Sequence, residues 1–425
     1  MMFWSIVGII TVCYVSYRFI KALGNSIPIL ELLLLIAGLQ WVVGPYIEYR
    51  TSFQHFKYYM YVDEIEYMQY AVPAYLALVI VIYIWLRKLK MKPLPIETFY
   101  KYSNYAVILV IVGFASDILR SIAPGGLKFI FFLLANFKFV GAILLFFSKK
   151  KKHRYVFFAA IGLLVSSSLR SAMFHDLILW GTFFYMFWAY KKKPSFKLNV
   201  IILLTGFFMS TIIQAVKSDY RTLVWGGYSG SYTTLFIDIL SKRLSGGLSE
   251  NTEEQGELNV RLNQGWIISA IMEHTPRMQA YADGSTVNEA IMASLLPRFL
   301  TPNKKIAGGV ENFEKYTGIE LGSSTSMGMS LIGEGYANYG RVGGMFFMGI
   351  WGCVLGWVWL FLSKKIEHNM IIFFFLPLIF FQVVKAETEL VVVLNHLVKS
   401  TILVFLFLWF TKKILNLNVI NAEDR

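Results

Sequence analysis

The sequence predicts an all-α, polytopic integral membrane protein, and three observations carry that reading. The chain is 56% apolar and only 16% charged, with a mean hydropathy of +0.55. It repeats apolar runs of about 17 to 22 residues, the length a helix needs to cross the hydrocarbon of a bilayer. A large polar stretch, Lys217 to Gly340, interrupts these runs once and late. A membrane barrel is excluded, because its strands would alternate apolar and polar residues, whereas 129–147 and 371–381 are apolar on every face.

Hydropathy places about eleven spans, with ten to twelve open, at roughly 3–17, 29–45, 69–86, 102–122, 129–147, 155–169, 174–190, 198–216, 342–362, 370–384 and 397–411. The chain divides accordingly into an N-terminal bundle (1–216, about eight spans), a large loop (217–340) and a C-terminal bundle with a short tail (341–425, about three spans).

The net charge of +14 encodes orientation rather than a nucleic-acid partner. About 21 basic residues fall in the connections after odd-numbered spans, notably Arg87 to Lys92, Lys149 to Arg154, Lys191 to Lys197 and Lys412–Lys413. Under the positive-inside rule the N-terminus lies outside and the C-terminus in the cytoplasm. The loop 217–340 then faces the extracytoplasmic side. No cleavable signal is expected, since the positive charges follow the first apolar run.

The loop is too rich in large apolar residues for a tether: Trp225, Tyr228, Tyr232, Phe236, Trp266, Ile267, Ile268, Ile271 and Met272 all fall within it. Leu262 to His274 has a helical period and Pro276 ends it. Cys13 and Cys353 both lie in expected spans, so the loop has no disulfide. The six histidines show no ligand spacing, so neither a metal nor another cofactor is expected.

Several cations suit an anionic ligand. Lys217 and Arg221 stand four apart where the eighth span leaves the membrane, so a continuing helix would put them on one face. They could grip a lipid diphosphate, or could simply be two interfacial cations snorkelling beside a membrane helix. Leu296 to Lys305 has two prolines, Pro297 and Pro302, that stiffen the backbone around Arg298, Lys304 and Lys305. Gly333 to Gly340 supplies Glu334, Tyr336 and Asn338 among glycines. Arg170, with His175 and Asp176, flanks a short turn that could bind phosphate or merely close two helices. Lys138 falls mid-span and needs a cavity or a partner. Glu31 and Lys399 are expected to snorkel near span ends.

Val216-Lys217-Ser218-Asp219-Tyr220-Arg221, Arg261 and Asn263 before a helix ending at Thr275-Pro276, Pro297-Arg298 with Lys304, and the run Gly333 to Gly340 together resemble the Wzy-type oligosaccharide repeat unit polymerases of O-antigen, capsule and exopolysaccharide assembly. Where members often have Asp then Lys-Pro after the second proline, this chain has Asn303, Lys304 and Lys305, so no carboxylate role carries over there. The resemblance implies a GT-C-like, metal-independent glycosyltransferase of the bacterial inner membrane. Its donor and acceptor would be oligosaccharides on undecaprenyl diphosphate, with a flippase and a chain-length regulator as partners. It also implies Arg261 and Arg298 at the leaving diphosphate and Glu334 as base. Lys217, Arg221, Lys304, Arg170, Tyr336 and Asn338 would bind the lipid diphosphate or glycan. A ligase using the same donor shares these features. A polyprenyl-phosphate-sugar transferase would use acids of an early outer connection, here Asp63, Glu64 and Glu66. A flippase would show internal repeats, and none is visible.

The orientation is testable by reporter fusion. A fusion near Gly256 is expected to read out as extracytoplasmic, and fusions at residue 151 or the C-terminus as cytoplasmic.

Overall fold

The computed structural model describes residues 3–51, 58–88, 94–245, 262–295, 310–322 and 326–413. The described elements are helical, with one isolated bridge at Leu23 and Ser26. Among the described residues, eight helices are long and apolar enough to cross a membrane: Phe3–Ala22, Ile29–Glu48, Glu64–Lys88, Ile96–Ile122, Gly125–Phe146, Phe196–Ile213, Ser330–His368 and Leu390–Lys413. The build is that of a multi-pass membrane protein.

Three expected spans lie outside this set. Two are helices of 21 and 18 residues, Lys151–Ser171 and His175–Lys192, with charged residues at their ends. The third, 370–384, is a broken helix taken up below.

The chain forms two compact units. Unit 1 comprises 1–19, 28–92 and 262–425, and unit 2 comprises 20–27 and 93–261. They cut across the chain-order division, because 217–340 is shared between them: its first part packs on unit 2 helices and its later part on unit 1 helices.

In unit 1, α1 (Phe3–Ala22) precedes a second span made of α2 (Ile29–Gly38), a π turn (Leu39–Val43) and α3 (Gly44–Glu48). A π turn redirects backbone carbonyls away from the ordinary ladder. Here the Gln40 carbonyl accepts from the Gln264 amide at 3.1 Å, and the Trp41 carbonyl from the Tyr67 hydroxyl at 2.9 Å. The irregular turn thereby fastens residues 262–264 and α4 (Glu64–Lys88) to the second span. Asp63 caps α4 by accepting from the Glu66 amide at 2.9 Å. Glu64 and Glu66 in its first turn and Arg87 and Lys88 in its last match the helix dipole.

Unit 2 holds α5 (Ser103–Ile122), α6 (Gly125–Ala135), α7 (Phe137–Phe146), α8 (Lys151–Ser171), α9 (His175–Lys192), α10 (Phe196–Trp225) and α11 (Tyr232–Ser245). The mid-span Lys138 has a partner: its ammonium pairs with Asp117 and lies 5.1 Å from the Phe139 ring centroid. Gly113 makes this possible, since a Cβ there would collide with the Lys138 backbone. A charge at membrane depth is tolerated when paired in this way.

The remaining helices belong to unit 1: α12 (Gly265–His274), α13 (Ser285–Leu295), α14 (Val310–Thr317), α15 (Ser330–His368), α16 (Ile372–Ile379) and α17 (Leu390–Lys413). The periodic stretch expected over 262–274 is α12, buried along nearly its whole length. Asn263 starts it, its Oδ1 accepting from the Gly265 amide at 2.9 Å.

Within α15 the chain turns sharply at Gly340 (φ 64°, ψ −164°), a conformation only glycine adopts without strain. The Leu390 amide donates to Glu334 at 2.8 Å, which sets the start of α17 beside the first turns of α15. The chain from 369 to 389 must therefore travel back along α15. It does so as the eight-residue α16 followed by turns, and residues 370–381 are all buried. Pro377 interrupts the ladder, and the Leu378 carbonyl near the helix end accepts from His396 Nε2 at 2.7 Å as well as from the Phe381 amide at 3.4 Å. Broken helix is tolerated at membrane depth where protein surrounds it and supplies such partners. Glu31 does not snorkel as expected but is buried in the first turn of α2. Lys399 is half-buried and donates to Asn395 at 2.5 Å.

The close approach at Gly113 yields a contrast. Gly113→Ala should cost about 1–3 kcal/mol through overpacking and lower the melting temperature of the detergent-solubilised protein. Gly162→Ala, in α8 with nothing within 4 Å of the added methyl, should leave it unchanged or raise it.

Candidate functional site

Two groupings of the expected residues emerge, one in each unit. In unit 2, α10 continues without a break through Lys217 and Arg221 to Trp225, so the pair does occupy adjacent turns of one helix. Ser195 caps its start, accepting from the Leu198 amide.

The far end of α10 clamps the turn between α8 and α9. The buried Tyr220 hydroxyl is shared between the carbonyls of Leu169 (3.0 Å) and Tyr232 (3.2 Å). Trp225 Nε1 donates to the Ser171 carbonyl at 3.2 Å. Arg170 lies between the two residues so gripped and is exposed. Ala172, Phe174, Val216, Tyr220 and Leu235 form the apolar cluster beneath. Burial, with Tyr232 and Tyr228 next, pushes the Tyr220 hydroxyl up to about 12, so it stays a neutral donor.

Arg221 lies over the Trp225 ring, 4.5 Å from its centroid. Its guanidinium is half-buried, and the buried Nε has no hydrogen-bond partner among the described residues. Desolvation lowers its pKa from the ordinary guanidinium value, which still leaves it charged at neutral pH. A buried donor without a partner carries a free-energy cost that an acceptor would remove. Arg243, by contrast, is taken by Asp219 at 3.0 Å, which ties α11 to α10. Arg170, Lys217 and Arg221 thus gather at one corner beside a clamped turn, an arrangement suited to a multivalent anion such as a diphosphate.

In unit 1, Glu334, Tyr336 and Asn338 lie on the segment of α15 before Gly340. Glu334 is 3% exposed, and both of its oxygens are engaged: Oε1 accepts from the Thr286 hydroxyl at 2.7 Å and Oε2 from the Leu390 amide at 2.8 Å. Asn338 Nδ2 donates to Thr286 Oγ1 and to the Glu334 carbonyl, and its Oδ1 accepts from the Gly284 amide. The Asp283 amide completes the seam by donating to the Asn338 carbonyl at 3.2 Å. Glu334 and Asn338 thus hold the 282–286 turn and the start of α17 against α15. Tyr336 is 8% exposed and meets Tyr70 edge-on at 4.9 Å.

Arg261, Arg298 and Lys304 lie outside the described residues. Asp176 stands in the first turn of α9, where it complements the helix dipole. Of the early acids, Asp63 caps α4 and Glu64 is held by Arg50 (3.0 Å) and Ser5 (2.7 Å), while Glu66 is exposed. Sequence reasoning passed over Trp225, although its four-residue spacing from Arg221 is that of a helical cation–π pair. Thr286 had no local signal, because its importance comes from a partner 48 positions away.

The chain matches no family model, no curated protein and no solved structure.

The seam around Glu334 predicts graded effects. Glu334→Ala leaves the Thr286 hydroxyl and the Leu390 amide unmet, at about 1–3 kcal/mol for each buried group, and should lower the melting temperature sharply. Glu334→Gln, which can still accept from Leu390, should lower it less. A base role would instead leave Glu334→Gln fully stable and inactive.

Proposed function

We propose that the chain polymerises lipid-linked oligosaccharide repeat units in a bacterial inner membrane. A hydroxyl of an incoming lipid-linked unit attacks the anomeric carbon of a glycan on undecaprenyl diphosphate. The new glycosidic bond forms as the bond to the diphosphate breaks, and the electron pair leaves with the diphosphate. Negative charge develops on that leaving group, so fixed cations in a partly dehydrated setting lower the barrier.

The observation that carries this reading is the corner of Arg170, Lys217 and Arg221, where the apolar helix α10 ends and a half-buried guanidinium has a donor to spare. Support also comes from orientation. Lys191 to Lys193 before α10 and Lys197 in its first turn form an exposed or half-exposed basic cluster, which under the positive-inside rule supports a cytoplasmic start and an outer Lys217 end. Repeat units polymerise on that outer side in the proposed scheme. Arg261, Arg298 and Lys304 join the reading through the resemblance in sequence. Glu334 is assigned to holding the fold rather than to proton transfer. No metal is invoked, since the cations supply the charge.

The test is in vitro polymerisation by purified Lys217→Ala, Arg221→Ala and the double variant, normalised to folded protein, across a range of lipid-linked donor. Each single change should weaken donor use by about tenfold. The double change should cost less than the product, since one ligand couples the two cations. Unchanged donor dependence in the double variant would exclude the corner. A deletion strain separates the classes: single repeat units on the final acceptor mark a polymerase, loss of all transfer marks a ligase, and repeats trapped in the cytoplasmic leaflet mark a flippase.

A further inference from the structure

Unit 1 contains a second set of polar groups that the diphosphate chemistry does not use. It lies around Tyr336, which packs on Tyr70 and Tyr281; Arg341 reaches Gln69 on α4, and Glu66 stands one helical turn before Gln69 and Tyr70. The three elements that contribute are the first turns of α4, the segment before α13 and the bend of α15.

The aromatic floor of this set is fixed. Tyr336 meets Tyr70 edge-on at 4.9 Å, and the Tyr70 hydroxyl is anchored to the Ile332 carbonyl at 2.6 Å. Tyr281 meets Tyr336 at 6.3 Å. Its hydroxyl lies 2.9 Å from where a Cβ on Gly340 would stand, so the bend at φ +64° also makes room for the ring. Tyr281 is half-buried and Tyr336 is buried.

The charged arms are exposed and set in place from behind. Arg341 Nη2 donates to the Gln69 side-chain oxygen at 2.7 Å and to its carbonyl at 3.2 Å, which leaves the other guanidinium nitrogens over. Glu66 is placed by its amide on Asp63, and its carboxylate accepts from no group among the described residues. No ion pair joins Glu66 to Arg341 among the described residues, although Glu66 stands one helical turn from Gln69, which holds Arg341. Opposite charges held apart on a rigid aromatic floor are an arrangement awaiting a ligand rather than a closed structural bridge.

The donor and acceptor inventory selects the ligand class. A carboxylate accepts only, a guanidinium donates only, and the phenols do either. Neighbouring hydroxyls on a sugar ring both donate and accept, and the apolar face of the ring can lie on Tyr281, the half-buried member of the pair. A phosphate would be repelled by Glu66, and an apolar ligand would bury both charges unmet.

We propose that Glu66, Arg341 and the Tyr281–Tyr336 pair form a sugar-binding subsite that takes glycan hydroxyls between the carboxylate and the guanidinium. The glycan would be that of the lipid-linked repeat unit, so its identity rests on the polymerase reading above. Glu66, Tyr281 and Arg341 bind in this assignment, and no proton transfer is ascribed to them.

The experiment is calorimetric titration of the full chain in detergent with two probes. One is the soluble repeat-unit oligosaccharide released from the producing cell's polysaccharide and freed of lipid. The other is undecaprenyl diphosphate alone. Glu66→Gln and Arg341→Lys should each weaken oligosaccharide binding about tenfold, and Tyr281→Phe by a smaller factor, with lipid diphosphate binding unchanged. The Lys217→Ala/Arg221→Ala variant should do the reverse. Tyr281→Phe, which keeps the ring over Gly340, carries the test if a charge variant loses its melting transition. Wild-type oligosaccharide affinity in the three subsite variants would overturn the proposal. So would a wild-type chain that binds undecaprenyl diphosphate and no oligosaccharide, which would leave the diphosphate corner standing. A chain that binds neither probe would overturn the polymerase reading, and the glycan assignment with it.

Discussion

The Glu334 carboxylate, buried and held among the described residues by one hydroxyl and one backbone amide with no cation, is the interaction on which the later half of the chain depends. A buried carboxylate is expensive unless its oxygens are met by donors. Meeting them here requires Thr286 on α13, the first amide of α17 and the straight segment of α15 to assemble at once. The orphan amide at the start of α17 is itself a group that needs an acceptor. One side chain therefore satisfies a helix end and fixes where a loop more than forty residues upstream must lie. The bend at Gly340, the return path through α16 and the position of Tyr336 follow from that seam.

A second constraint acts throughout: backbone groups at membrane depth must find partners inside the protein. The π turn of the second span and the break after α16 both violate regular helix, and both are compensated. Gln264 and Tyr67 take the carbonyls released by the first. His396 takes a carbonyl near the second. Irregular backbone in these places is thus also where sequence-distant segments join; Pro45, which has no N–H, could not take the Trp41 carbonyl even in a regular helix.

The two candidate groupings have different physical character. The corner in unit 2 is an electrostatic device, where cations converge and one guanidinium has been partly stripped of water against Trp225. The set around Tyr336 in unit 1 is mixed in charge and aromatic.

Much of this was legible in sequence, and the reason is hydropathy. Apolar runs of membrane length determined the helical class and the approximate span positions, because burial in lipid imposes length and composition locally. The period over Leu262 to His274 and the helix bearing Lys217 and Arg221 were likewise local properties. What only the tertiary structure decided were partnerships. Lys138 reads as an isolated mid-span charge until Gly113 lets Asp117 reach it. Glu334 reads as an available carboxylate among glycines until Thr286 and Leu390 occupy it. Glu66 reads as one of three acids until its neighbours Asp63 and Glu64 prove engaged elsewhere. Hydropathy is a sum over neighbouring residues and survives in one dimension. Whether a polar group is met or unmet depends on residues tens to hundreds of positions away, and that is settled only when the helices pack.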